Sequence, residues 1–104
     1  MSVEKKDKTN QKMVEKDLTN HNHSFIDYSG SNLERSILKG TECHDSTFDV
    51  ANMTRVDAEG ANFTNSSFTR SILNRAKLNL ANFSETTLEG AIIRNSKLKG
   101  TDFS

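Results

Sequence analysis

The sequence predicts a solenoid, a chain wound in repeating coils, in place of a conventional globular core. Three observations predict it. Counting by fives from Phe63 meets only apolar or aromatic residues: backward Ala58, Met53, Phe48, Cys43, Leu38, Leu33 and Tyr28, forward Phe68, Leu73, Leu78, Phe83, Leu88, Ile93, Leu98 and Phe103. Two residues before each of these centres stands a small or β-branched residue, from Ser31 and Ser36 to Ser96 and Thr101, and all five glycines lie two residues after a centre. The hydrophobic share is 33%, low against the roughly 45–50% of ordinary domains. A solenoid tolerates this because each coil buries only its inward positions against the coils above and below.

The unit Ala61-Asn62-Phe63-Thr64-Asn65 shows the pattern: a small residue, often an Asn or Asp, a large apolar centre, a polar residue, then often Gly. Over Ile26 to Ser104 the chain resembles the pentapeptide-repeat family on these residues. The resemblance implies an all-β fold, a right-handed quadrilateral β-helix with four pentapeptides per coil, here about four coils. Residues twenty apart then stack at about 4.8 Å, the strand spacing.

The residues support four units per coil independently of the resemblance. At period twenty the centres fall into four columns. Tyr28, Phe48, Phe68 and Leu88 form the first, and Leu33, Met53, Leu73 and Ile93 the second. Leu38, Ala58, Leu78 and Leu98 form the third, and Cys43, Phe63, Phe83 and Phe103 the fourth. The aromatic centres occupy two adjacent columns, where stacked rings add about 0.5–1.5 kcal/mol per pair. Ala58 departs from a column of leucines, and Val56, larger than its peers, fills part of the gap.

At 104 residues there is room for one domain. Net charge is zero, so nothing global argues for nucleic acid or an anionic membrane. The single cysteine, Cys43, excludes an internal disulfide. As a repeat centre it reads as a buried, inert thiol. There is no apolar run of membrane-spanning length and no secretory signal core; the expected location is the cytoplasm.

Residues 1–22 read as a different kind of sequence, a charged N-terminal tail, with the solenoid domain placed at 23–104. Lysines alternate with acids, and the apolar residues are few: Val3, Met13, Val14 and Leu18. Val14 and Leu18, four apart, would share a helical face. A disordered tail and a short capping helix stay open as alternatives. Phe25 and Ile26 break the small-residue rule and are expected to plug the N-terminal end. His21 and His23 lack ligand-spaced partners and are expected to be solvated, so no metal or cofactor is predicted.

Function would live on the outside. Corner residues, two after each centre, include Arg35, Arg55, Arg75 and Asn95 along one edge, and Asp45, Asn65 and Glu85 along the diagonally opposite one. The adjacent face carries Asn32, Asn52, Ile72 and Ile92, accompanied by Thr54, Asn74 and Arg94. Arginine beside apolar groups is what interface centres favour, so Arg35, Arg55, Arg75, Ile72, Ile92 and Arg94 form the candidate partner face. Along the axis, Ile26–Gly60 has seven acids against three bases, and Ala61–Ser104 six bases against three acids. Leu88, Ile93, Leu98 and Phe103 of the last coil form a candidate end for a weak homodimer.

No catalytic constellation is visible, and a filled solenoid has no pocket, so enzymatic activity is not expected. The leading reading is an interaction module that binds a protein partner through a face or an end. The alternative comes from the resemblance: some family members bind DNA gyrase or another topoisomerase by imitating duplex DNA, but the mixed faces and short rod of this chain depart from that pattern. A third reading, weak nucleic-acid binding through Arg35, Arg55 and Arg75, lacks the broad basic patch such binding needs.

Overall fold

The computed structural model describes residues 4–104. A turn repeated every five residues builds the fold. The third residue of each turn, two after a centre, has positive φ at every fifth position from Asn10 to Gly100, between 54° and 71°. The residue after it donates its N–H to the carbonyl of the centre, as Ser36 does to Leu33 and Ala61 to Ala58, both at 3.0 Å. That geometry is a type II turn, which favours Gly or Asn at its third position. Fourteen of these positions are not glycine, and a left-handed conformation costs a residue with a side chain about 1–2 kcal/mol. The stacking of coils has to offset that strain.

The stacking is visible in the pairing. Strand β1 (Lys6–Asp7) lies parallel to β2 (Ile26–Asp27). Single-residue parallel bridges twenty apart continue from Lys12↔Asn32 to Asn82↔Asp102. Between coils the Phe63 N–H donates to the Asn82 carbonyl at 2.7 Å, and the Asn62 N–H to the Thr41 carbonyl at 2.9 Å. The fold is the right-handed quadrilateral β-helix, in coils that begin at residues 6, 26, 46, 66 and 86.

Two polar devices recur. The Asn or Asp before a centre accepts the N–H of the residue after it, as in Thr54 to Asn52 Oδ1 at 3.1 Å and Ser29 to Asp27 Oδ1 at 2.9 Å. Such Asx turns hold the short side chain against its own backbone. At the inward small position, hydroxyls reach down one coil. Ser46 Oγ donates to the His23 carbonyl at 2.8 Å, Ser66 Oγ to Cys43 at 2.9 Å, and Thr86 Oγ1 to Phe63 at 3.0 Å. The small position therefore satisfies buried carbonyls as well as leaving room for the centres.

Inside, every centre from Tyr28 to Phe83 is buried. Phe48 stacks on Phe68 with ring centroids 4.8 Å apart, and Phe63 on Phe83 at 4.9 Å. The two aromatic columns meet edge to face, with Phe63 perpendicular to Phe68 at 5.0 Å. Val56 and Ala58 are both fully buried side by side. No cavity opens among the described residues.

The N-terminal expectation needs correction. Neither a tail nor a helix precedes the solenoid over residues 4–22; a further coil does, and Met1–Val3 lie outside the described residues. Met13 and Leu18 are buried centres, 8% and 6% exposed. The reason is local. Asp7-Lys8-Thr9, Asp17-Leu18-Thr19 and Asn22-His23-Ser24 carry the same Asx turn as the later coils, and Asn10 and Asn20 take the left-handed corners. Asn at such a corner is tolerated because its short polar side chain bonds locally. Val14, 44% exposed, does not share a face with Leu18. Ile26 occupies an ordinary buried small position, and Phe25 an exposed corner against His44. Neither plugs an end.

Candidate functional site

The corner turns fix where the arginines stand. Arg35, Arg55 and Arg75 each occupy the positive-φ position of a turn. Their backbones are locked to the next coil, Arg55 N–H to the Asn74 carbonyl at 2.8 Å and Arg75 N–H to the Arg94 carbonyl at 2.7 Å. The three therefore form a ladder at coil spacing, with the side chains exposed. On the face before this edge, Ile72 and Ile92 are direct bridge partners. Ile72 is half-buried and Ile92 exposed. Arg94 sits beside them, its N–H donating to Asn74 Oδ1 at 3.2 Å.

The structure brings Arg55, Arg75, Ile72, Ile92 and Arg94 together on the upper coils. Arg35 stands lower on the same edge and faces Glu15 of the first coil at 3.8 Å. Among the described residues no other Lys or Arg pairs with a carboxylate; His44 Nδ1 is hydrogen-bonded to Asp45 Oδ2 at 2.8 Å. Arg55, Arg75 and Arg94 have no carboxylate partner there. The second sequence-derived group lies around the last coil, one residue from each column. Leu88 and Ile93 are packed against the core, Leu98 is 42% exposed, and Phe103 is 45% exposed while stacked on Phe83 at 5.3 Å.

The titratable groups inside serve the core. Burial pushes the Cys43 thiol up to about 12, and Thr41 Oγ1 lies 3.2 Å from its sulfur. Such a thiol is protonated and unreactive at neutral pH. Burial likewise raises Tyr28 to about 12. Its hydroxyl lies 2.7 Å from Nδ1 of His23, a contact the sequence reading missed. His23 occupies a half-buried centre one coil below Cys43, not solvent. Burial, with His21 and Lys8 nearby, holds its imidazole below the usual range, and its Nε2 is buried without a hydrogen-bond partner. The signal was available: His23 is five residues before Tyr28 and follows an Asx residue.

Val50, which sequence reasoning passed over, and Leu80, on the mostly glycine corner, are apolar corners 63% and 67% exposed. Leu80 reaches over Gly100, and a Cβ there would lie 2.7 Å from its Cδ2. Among the described residues no three His, Cys, Asp or Glu side chains converge as a metal site would need. No helix is long and apolar enough to cross a membrane.

The pattern of pentapeptide repeats matches in eight copies over residues 51–90 and 66–104, just over half of the chain. No curated protein sequence matches. Among solved structures, the chain superposes on HetL, a pentapeptide repeat protein involved in heterocyst differentiation regulation in the cyanobacterium Nostoc sp. strain PCC 7120. The TM-score is 0.94 at 23% identity, over 96% of this chain and 42% of HetL. Rfr23, a pentapeptide repeat protein of the cyanobacterium Cyanothece 51142, superposes with a TM-score of 0.53 at 16% identity, over 88% of this chain and 90% of its own. The chain thus spans less than half the length of HetL, and these likenesses concern the fold alone. With the repeat pattern, the turns and the four buried columns in agreement, the chain belongs to the pentapeptide-repeat family.

Proposed function

We propose that this chain is a non-enzymatic interaction module that docks a protein partner on the face and edge built by Arg55, Arg75, Arg94, Ile72 and Ile92. One observation carries the reading. Arg55 and Arg75, backbone-locked at coil spacing, and Arg94 beside them, all three without carboxylate partners among the described residues, flank a pair of stacked isoleucines. Arginines able to form two parallel bonds to a carboxylate, beside an apolar anchor, are what the energetic centre of an interface uses. The backbone of the site is already held by inter-coil hydrogen bonds, so only its side chains have to order on binding.

The test compares baits. Wild-type chain, an Arg55→Glu/Arg75→Glu/Ile92→Ser variant and an Asp45→Lys control on the opposite edge are immobilised and exposed to one lysate of cytoplasmic proteins. The expected result is a partner held by wild type and control and lost by the triple variant. Partners retained equally by all three would sink the reading.

The DNA-imitating alternative draws on a different side. The pentapeptides at 41–45, 61–65, 81–85 and 101–104 carry four carboxylates and no Lys or Arg. Inhibition of gyrase supercoiling that survives the triple substitution and fails with Asp45→Lys/Glu85→Lys would favour it.

A further inference from the structure

Charge on this rod is divided across its width. The pairing at twenty residues stacks like sides on like sides, so residues 26–104 sort into four sides. The second and third sides (31–40, 51–60, 71–80, 91–100) carry eight Lys or Arg against three acids. The fourth and first sides (26–30, 41–50, 61–70, 81–90, 101–104) carry seven acids against one cation, Arg70. The separation is sharpest in the upper coils, where 71–80 and 91–100 hold five cations and no Asp or Glu. The two edges at the centres of these regions lie diagonally opposite: Arg35, Arg55 and Arg75 on one, Asp45, Asn65 and Glu85 on the other.

The first coil weakens the division, placing Lys5, Lys6 and Lys8 on the acidic sides and Glu15 and Asp17 on the basic ones, but it does not cancel it. No ion pair joins the two edges among the described residues, and charges on opposite edges are screened over about 10 Å at 0.1 M salt. The ion pair Arg35–Glu15 and the hydrogen bond His44–Asp45 each join neighbours on one edge. On the acidic side, Asn65 Nδ2 donates to Asp45 Oδ1 at 2.6 Å and Asn62 Nδ2 to Glu42 Oε2 at 2.9 Å, which holds carboxylates in place without cancelling them.

We propose that the basic edge of one copy docks on the acidic edge of a second copy. This rests on the reading of the arginine edge as a partner site and names its partner. The complement of each edge is the other edge of the same chain, repeating at the same coil spacing. A contact made at one coil therefore recurs at the next, Arg to carboxylate, with Asn65 on the middle rung. Zero net charge removes the global repulsion that would oppose association. The contact is heterologous, so each added copy keeps one edge of each sign free and the assembly grows open. Exposed pairs are individually weak, so the assembly is weak and labile to salt.

Sedimentation velocity of the full chain tests this. At about 10 mM ionic strength, where screening reaches about 30 Å, the sedimentation coefficient rises with concentration; at about 1 M salt it is that of a monomer. Arg55→Glu/Arg75→Glu makes both edges acidic, and Asp45→Lys/Glu85→Lys makes both basic. Each variant alone is monomeric at low salt, and an equimolar mixture recovers association. Thermal melts matching wild type confirm that the variants fold. Phe103→Asp, at the last coil, leaves association unchanged.

A wild type that stays monomeric at low salt overturns the proposal. So do reversed variants that associate like wild type, or a Phe103→Asp chain that loses association. Duplex DNA binding without self-association, lost with Arg55→Glu/Arg75→Glu, assigns the edge to nucleic acid instead. If wild type is monomeric but Arg55→Glu/Arg75→Glu/Ile92→Ser still loses a lysate partner, only the second-copy assignment falls. If no lysate partner depends on those residues either, the underlying site reading falls with it.

Discussion

The first coil, residues 6–25, and the middle coils, residues 46–85, have the same backbone and different interiors. Both close each turn at a positive-φ corner, and both pair with the next coil twenty residues on. The middle coils fill their centres with Phe48, Phe63, Phe68 and Phe83, all buried in stacked and perpendicular ring contacts. The first coil offers Lys8, Met13, Leu18 and His23 at those positions, and only Met13 and Leu18 are buried. Turns and inter-coil hydrogen bonds thus suffice to shape a coil laid on a well-packed neighbour. Apolar packing decides how firmly it is held, because the net contribution of a hydrogen bond is about 1 kcal/mol and that of a buried aromatic several times larger.

The strongest way to break the comparison is to remove a ring from each region. Phe63→Ala should cost about 3–5 kcal/mol and lower the denaturation midpoint of the whole solenoid. His23→Ala should cost about 1 kcal/mol, the scale of one hydrogen bond. Equal losses in urea titrations would show the two interiors to be energetically alike.

A middle coil should also resist added volume. Ala58→Leu is expected to cost about 1–3 kcal/mol, because Val56 and Ala58 are fully buried together. A raised melting temperature for this single substitution would reveal hidden room in the leucine column.

Acid should loosen the first coil before the rest. The His23 imidazole lies below its usual range in the folded chain, so the unfolded coil binds more protons as pH falls below about 6.5. Stability from this group is therefore complete above that value and is lost as pH falls through the folded pKa. Amides of residues 6–25 should lose exchange protection toward pH 5 while those of 46–85 keep it. His23→Phe should abolish the difference, and a pH dependence that survives it would clear His23.

The smallest expected effect is outside the core. Thr64 is half-buried on a face, and its hydroxyl donates to Asn62 Oδ1. The Thr64 N–H also donates there, at 3.0 Å, so the Asx turn survives loss of the hydroxyl. Thr64→Ala should shift stability by less than about 0.5 kcal/mol. A loss near that of Phe63→Ala would contradict the inward and outward register.

The part of the chain hidden from the sequence reading was the part where a centre is not apolar. Lys8 and His23 fall on the five-residue count, but a rule that asks for hydrophobic centres stops at Tyr28. The polar half of the repeat continued through them: Asp7 with Thr9, Asp17 with Thr19, and Asn22 with Ser24, each forming the same Asx turn in the structure. Glycine was likewise a partial guide, marking five corners while fourteen others carry side chains at positive φ. At the candidate face, the identities and spacing of Arg55, Arg75, Ile72, Ile92 and Arg94 were legible. The engagement of Arg35 by Glu15 was not, because it depends on a coil the reading had left out.

By itself the sequence determined the period, the inward register and the four columns. These follow from side-chain size and polarity repeated along one dimension, and residues twenty apart meet because nothing interrupts the count. Tertiary structure completed the coil that the polar repeat over residues 6–25 begins, since polar centres close only when the next coil supplies backbone partners and Tyr28 receives His23. It also decided the direction in which charge is divided. Summed along the chain, acids and bases separate by halves; folded at twenty residues per turn, they separate by sides. Winding converts a position in the sequence into an angle around an axis, and only angle determines which charges share a surface.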